Sequence, residues 1–400
     1  MIANNRGVDR ALARRLILAS AAIGSLGTFA MHAVLPALPG IRDHFGSTLG
    51  TTQLLVSLAL IAIAGGNITV APLSDRFGRR PIIVAGLLMF MLGSLLGAVA
   101  PNIGVLIAAR IVQAFGSGAA MAVARASLMD FFGPERAATG IAYTATAILV
   151  VPMLAPTVGG IAVELEGWRA VFVLSGLLGI AVLAFTLLRI QETQVSAVRT
   201  RLDSLQSYRQ LLGTAEFRGY AFFSSVMFAG VSAFIAGAPH VAIDVMGLTP
   251  SRYGLLFILP AVASFTGFFT SARISRRRGA DRMMRGGVAL ALGGGSLLVA
   301  LTVVGNWHPL ALFVPGALVC MANAIAAPSS TSSAIAVRPD IAGAASGLVG
   351  FLQLSVAAVA VQVVALFANA TPYPLVLTIF VVNLAAALLL SRARAAASRS

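Results

Sequence analysis

Lysine is absent from the 400-residue chain, cysteine occurs once, and only 10% of residues carry charge. Each shortage excludes a class. A nucleotide-driven pump needs a phosphate-cradling loop with its lysine, and no such loop exists here. The single Cys320 has no intrachain disulfide partner; it sits in an apolar run and reads as a small packed thiol. The four histidines, His32, His44, His240 and His308, include no two spaced as a metal-ligand pair, so neither a metal nor a cofactor is expected. Serine and threonine are common, but no convincing base accompanies them inside the apolar runs, which argues against intramembrane hydrolysis. A soluble domain carries roughly 25% charged residues, and 10% is too little to cover a soluble surface.

Apolar sequence is what the chain does have: 58% of residues are hydrophobic and the mean hydropathy is +0.93. Runs near 20 residues, each able to cross the roughly 30 Å hydrocarbon layer as a helix, recur along the whole length. Spans are expected at about 16–38, 50–71, 81–100, 104–128, 138–162 and 169–189. After a polar segment of about 190–217 come 218–239, 253–272, 284–304, 309–330, 342–367 and 373–391. The first run follows Arg14 and Arg15 as a signal peptide would, but further apolar runs continue to the end, so it reads as a retained span. The expected fold is an all-α membrane protein of twelve transmembrane helices, with six-helix units at 1–189 and 218–400 joined by a linker at 190–217.

The formal net charge of +15 would suggest nucleic acid in a soluble protein. Here the charges lie between apolar runs and report topology instead. With the N-terminus inside, 23 of the 28 arginines fall on the cytoplasmic side and only Arg42, Arg169 and Arg252 on the other; Arg110 and Arg125 lie within spans. Both termini are then cytoplasmic, and short loops with Arg- and Ala-rich usage suit a bacterial inner membrane. The loop at 73–80, Leu-Ser-Asp-Arg-Phe-Gly-Arg-Arg, has an echo at 273–279, Arg-Ile-Ser-Arg-Arg-Arg-Gly. Each follows the second span of its half. Such parallel repeats place a substrate site at their interface near mid-bilayer. Twelve spans with this internal echo fit a self-contained, monomeric transporter better than a channel, which shows re-entrant filters or rings of charge from symmetric subunits.

Residues 71–81, Ala-Pro-Leu-Ser-Asp-Arg-Phe-Gly-Arg-Arg-Pro, are the sharpest motif. Asp75 can accept hydrogen bonds from a helix N-terminus or an arginine, and Gly78 permits a tight turn. The segment resembles the signature loop of the major facilitator superfamily. That resemblance implies a switch network of Asp75, Arg76, Gly78, Arg79 and Arg80, which latches the two halves in the outward-open state and breaks on rocking. The chain departs at Ala71, where the family usually has Gly, which relaxes close helix packing there.

In the fourth span, Arg110-Ile-Val-Gln113-Ala-Phe-Gly-Ser-Gly118 is similar to a superfamily motif whose arginine is buried and tied to proton transfer. A central arginine costs about 2.5–3.5 kcal/mol on insertion scales and needs a partner or a wet cavity; the alternative is a side chain snorkelling to the near surface. Arg125 and Asp130 close the same span, and the resemblance implies docking against the Asp75 loop. In the fifth span, Pro152-Met-Leu-Ala-Pro156-Thr-Val-Gly159-Gly160 resembles the antiporter motif of drug exporters, with Ala155 where Gly is often found. Pro156 allows a bend, and Gly159 and Gly160 allow close helix contact. Leu35-Pro-Ala-Leu-Pro39 and Gly167-Trp-Arg-Ala-Val-Phe172 resemble the Bcr/CflA-type drug-resistance transporters, which include chloramphenicol and florfenicol exporters.

One departure is informative. That family commonly places an Asp just before the Leu-Pro-Ala-Leu-Pro stretch, where this chain has His32. None of the 13 acids falls at the centre of a span. Either His32 carries the proton, for which an imidazole with an ordinary pKa of about 6.5 is suited, or it is a polar cavity residue and coupling lies elsewhere. Ser25 and Thr28 share its helix face and are placed to hydrogen-bond it. Arg110 is the other proton-coupling candidate. With no counter-ion for a cation, the expected substrates are neutral or weakly anionic amphipathic compounds such as amphenicols. Asn67, Gln113, Asn323 and Gln353 join Ser25 and Thr28 as cavity candidates, and Gln53 is a further polar residue along the path. Proton, small-molecule substrate and lipid are the expected partners, with no nucleic acid. Export of a sugar or metabolite, or a non-transporting sensor on the same fold, are the competing readings.

Overall fold

Polar residues at the turns set where the helices begin. The side chains of Thr48, Asn102, Thr249 and His308 each accept a backbone N–H from the first turn that follows them. The computed structural model describes the backbone of residues 3–189, 204–305 and 307–397. Side chains of residues 3–12, 71, 72, 75, 204, 205, 276 and 393–397, and most of those between 133 and 149, lie outside that description. Fourteen helices occupy it: α1 (Ala3–Ala33), α2 (Leu38–Phe45), α3 (Leu49–Phe77), α4 (Arg79–Ala98), α5 (Ile103–Glu166), α6 (Arg169–Arg189) and α7 (Ser204–Gly213), then α8 (Ala215–Pro239), α9 (Pro250–Leu256), α10 (Ile258–Arg278), α11 (Ala280–Val303), α12 (Pro309–Ala336), α13 (Ala342–Phe367) and α14 (Tyr373–Ala397). There is no strand among the described residues.

Eleven segments among the described residues are long and apolar enough to span a bilayer. The twelfth expected span, 138–162, lies inside α5. That helix has 64 residues and would run about 96 Å if straight, far beyond one bilayer. It does not run straight. Its Asp130 bonds Arg79 at the Arg-rich end of the molecule, while Ala100, just before its start, and Arg169, just after its end, are joined by a 3.3 Å hydrogen bond at the opposite, Arg-poor end. The backbone therefore doubles back within α5, which is consistent with twelve crossings.

The two arginine loops have the same geometry. Gly78 joins α3 to α4 at φ 97°, ψ 155°, and its N–H donates to the Ser74 carbonyl at 3.1 Å. Gly279 joins α10 to α11 at φ 76°, ψ 157°, and its N–H donates to the Ser275 carbonyl at 2.9 Å. A left-handed φ of this kind is accessible to glycine without a Cβ penalty, so the sequence echo is a conformational one.

Two departures from the expected elements have local causes. The linker was expected as a polar segment at about 190–217. Residues 190–203 lie outside the described residues, but 204–213 form α7, whose Leu211 is buried against Phe217, Ile341 and Ala345. The first span is broken after Ala33 by a tight turn at Leu35–Ala37, where Pro36 lacks the N–H to continue the α ladder, and α2 then completes the crossing.

Candidate functional site

Among the described residues, six hydrogen bonds cross from the helices before the linker to those after it at the Arg-poor end. Arg42 Nη1 donates to Asp244 Oδ2 at 2.7 Å, and Gln53 Nε2 to the Ala236 carbonyl at 2.7 Å. Ser57 Oγ donates to Gln362 Oε1 at 3.1 Å, while Gln362 Nε2 donates to the Gly50 carbonyl at 3.0 Å. Thr157 Oγ1 donates to the Gly254 carbonyl at 2.9 Å. The Ser251 N–H, in the first turn of α9, donates to Glu164 Oε1 at 3.0 Å, a carboxylate at a helix N-terminus.

The glycines of the fifth-span motif explain why the backbones can come this close. A Cβ on Gly160 would overlap the Pro250 carbonyl oxygen, and one on Gly159 the Ala33 carbonyl oxygen. From the other side, a Cβ on Gly254 would lie 2.5 Å from the Pro156 carbonyl oxygen. Gly160 and Gly254 thus form a glycine-on-backbone seam between α5 and α9 that closes this end, and Gly159 holds α5 against α1.

Arg110 is 2% exposed and does not snorkel. Its Nη1 donates to Gln113 Oε1 at 2.6 Å and to the Ala30 carbonyl at 3.4 Å; its Nε donates to the Leu55 carbonyl at 3.3 Å. Gln113 passes the network on to Ser94 Oγ at 2.8 Å. The guanidinium therefore ties α1, α3, α4 and α5 together through neutral acceptors, beside a small open pocket lined by Gly27, Met31 and Ser117. Arg110→Met is expected to lower the thermal midpoint of the purified protein by several degrees, because each buried acceptor left unpaired costs about 1–3 kcal/mol. Arg110→Lys should recover only part of this, since an ammonium lacks the planar fork that reaches three helices. Unchanged melting in both variants would contradict the tie.

His32 sits on α1, two residues after Ala30, whose carbonyl accepts from Arg110. Its Nδ1 is 2.9 Å from the Thr28 carbonyl. A carbonyl accepts only, so Nδ1 carries the hydrogen and Nε2 is the nitrogen left to take a proton. Nε2 has no hydrogen-bond partner among the described residues. The ring packs edge-on to Phe257 at a centroid distance of 6.2 Å, across the seam. The Thr28 hydroxyl donates to the Gly24 carbonyl rather than to His32, and Ser25 is half-buried.

The other candidates divide. Gln353 is tied to Ser224 at 2.6 Å within the second half, Asn67 is half-buried, and Asn323 is 7% exposed with Oδ1 unpartnered among the described residues. In the signature loop, Arg79 Nε pairs with Asp130 at 2.8 Å and also reaches Ser74; Arg80 donates to the Leu187 carbonyl at 3.0 Å; Arg76 lies 5.2 Å from the Phe77 ring centroid. The side chains of Asp75 and Ala71 lie outside the described residues. Asp130 therefore meets the loop through Arg79, whereas Arg125 is exposed and contacts the Met121 sulfur at 3.8 Å. Sequence reasoning missed Gln362, Asp244 and Phe257. Only the His240–Asp244 pair, four residues apart at a helix end, left a readable signal.

Comparison with known proteins fits this geometry. Residues 17–361 match the Major Facilitator Superfamily. The chain belongs to that superfamily. It is 32% identical over 340 residues to multidrug resistance protein D of Escherichia coli (strain K12), covering 84% of this chain and 85% of that one. It is 28% identical over 323 residues to a chloramphenicol resistance protein of Pseudomonas aeruginosa, covering 80% of this chain and 76% of that one. In structure it resembles a bacterial homologue of the human lysosomal transporter Spinster, with a TM-score of 0.74, 17% identity and 96% of each chain covered. This member of the superfamily is a multi-pass membrane transporter with two matched arginine loops and one end drawn shut.

Proposed function

We propose that the chain exports small amphipathic compounds, neutral or weakly anionic, across a bacterial inner membrane by alternating access, with protons as the counter-flow. It does so without catalysing a chemical reaction and as a monomer, with six-helix units at 1–189 and 218–400. The arginine distribution puts the Arg-rich end and both termini in the cytoplasm, so the state described here is shut to the outside.

The observation that carries the reading is the seam at the Arg-poor end. The helices on its two sides meet there through a few separable polar contacts and the Gly160–Gly254 backbone approach. Part-exposed ion pairs of the Arg42–Asp244 kind contribute about 0.2–1 kcal/mol each, weak enough to break in a working cycle. The Arg79–Asp130 pair and the turn at Gly78 support the signature loop as the opposite switch.

The charge inventory supports the substrate class. Arg110 is spent on Gln113 and backbone carbonyls, and no acid falls at the centre of a span. A lipophilic cation would find no counter-ion, whereas a neutral or weakly anionic compound needs none. The relatives named for multidrug and chloramphenicol resistance point the same way. His32 carries the proton on Nε2, against Phe257 across the seam, where gain of charge alters the contact between the halves. Ser25, Thr28, Asn67 and Asn323 are the polar residues left to face a substrate.

Expression in an efflux-deficient bacterium challenged with a compound panel tests this. Resistance is expected to rise several-fold for amphenicols and similar uncharged compounds. Export of lipophilic cations alone would overturn the substrate assignment.

A further inference from the structure

The polar cluster at the Arg-poor end contains a histidine that the proposed transport cycle has not used. His240 opens the wide helical turn His240–Val245 that follows α8, beside a cleft of about 430 Å³ that also reaches Gln53 and Leu375. Its ring stands between two acceptors. Nδ1 is 2.7 Å from Asp244 Oδ2, and Nε2 is 3.0 Å from the Asn369 carbonyl oxygen. A neutral imidazole has one N–H and would leave one of these oxygens facing a lone pair. Only the imidazolium donates to both. Asp244 also takes Arg42 at 2.7 Å on the same oxygen, so Arg42 and the ring share one acceptor.

The shared oxygen is what links this proton to the seam. His240, Asp244 and Asn369 all belong to the half after the linker. Arg42 belongs to the other half and also pairs with its neighbour Asp43 at 3.0 Å. When the end opens, Arg42 leaves Asp244 and the His240–Asp244 pair stays together. If the ring is charged, closure brings together two pairs that are each already neutral, and Arg42 meets a second positive charge across one oxygen. If the ring is neutral, closure brings Arg42 to an uncompensated carboxylate. The latch is therefore tighter without the proton than with it.

The other charged or titratable groups on the elements packed here do not alter this sign. His44 on α2 faces Arg169 at 3.5 Å and the Trp168 ring, Asp43 pairs with Arg42, Arg252 on α9 is exposed, Gln53 on α3 is uncharged, and residues 364–375 offer no titratable side chain except Tyr373. The three latch side chains are 16–23% exposed, so screening reduces the effect without abolishing it.

We propose that His240, with Asp244, is a proton-binding site at the outer mouth, and that its occupancy loosens the Arg42–Asp244 latch so that external acid favours opening on that side. The proposal rests on the alternating-access reading above. A proton taken from outside and returned there moves no net charge, so this site sets how often the outer end opens and leaves coupling to His32.

The test is a spin-label distance measurement between Thr48→Cys and Ala370→Cys, two exposed positions at this end, in a Cys320→Ser background reconstituted in lipid. In the otherwise unchanged protein the short-distance, closed fraction is expected to fall several-fold between pH 8 and pH 5.5. His240→Gln should stay mostly closed at both values, and Asp244→Asn should show a reduced, pH-insensitive closed fraction. A closed fraction that is flat or rises in acid, or a His240→Gln protein that follows the parent, overturns the proposal. Should His240→Gln not purify as a folded protein, Asp244→Asn with the parent's full pH response is the overturning result. No substrate is needed, so lack of export with this response intact counts against the transport reading alone, and export without it counts against the latch alone.

Discussion

Gly160→Val is expected to cut export at least several-fold while leaving the protein folded. The new Cβ would overlap the Pro250 carbonyl oxygen, which is backbone and cannot swing aside as a side-chain tip would. The clash exists only when the Arg-poor end is shut, so its cost falls on one state of the cycle. Overpacking of this kind costs about 1–3 kcal/mol, and each 1.4 kcal/mol shifts a two-state ratio about tenfold. The Arg-poor end should therefore stand open far more often, its closed-to-open ratio down about 5- to 140-fold and export down with it. Gly293→Ala on α11 is the control, since a Cβ there meets nothing within 4 Å; it should transport at close to the parental rate. Efflux assays together with the Thr48–Ala370 distance check both halves of this expectation. Parental export by Gly160→Val would mean that closure of this seam is not part of the cycle.

His32→Ala should separate coupling from movement. With Nδ1 committed to the Thr28 carbonyl and Nε2 available, the imidazole is the titratable group that lies on the seam in the middle of the first crossing. Removing it should abolish export driven by a pH gradient, a loss of tenfold or more, while substrate exchange down its own gradient continues at a comparable rate. Measuring both in the same reconstituted preparation is the check. Proton-driven export that survives unchanged would assign the coupling proton elsewhere.

The helices were legible because a membrane span needs a long apolar run and the loops concentrate arginine on one side. The paired loops were legible too, down to the glycine that each turn requires. The second half of α5 was harder. Its backbone stays helical through the region where a loop was expected, and only the contacts of Asp130, Ala100 and Arg169 reveal that it doubles back. The linker concealed α7, whose short apolar face becomes meaningful only when Phe217 and Ile341 are there to receive Leu211.

The site was less readable than the fold for a physical reason. Gln53, Gln362 and Thr157 close the Arg-poor end by donating to backbone carbonyls, and every residue has a carbonyl, so the sequence does not mark the partner. Arg110 shows the opposite case. Gln113 stands three residues along the same helix, within reach of its guanidinium, and could have decided between burial and snorkelling in advance.

The most direct measurement is uptake of chloramphenicol into inverted membrane vesicles containing the protein, with the lumen made acid. Accumulation above that of empty vesicles, collapsing when a protonophore is added, is the expected result. Vesicles that take up no neutral or weakly anionic compound under the same gradient would contradict proton-driven export by this chain.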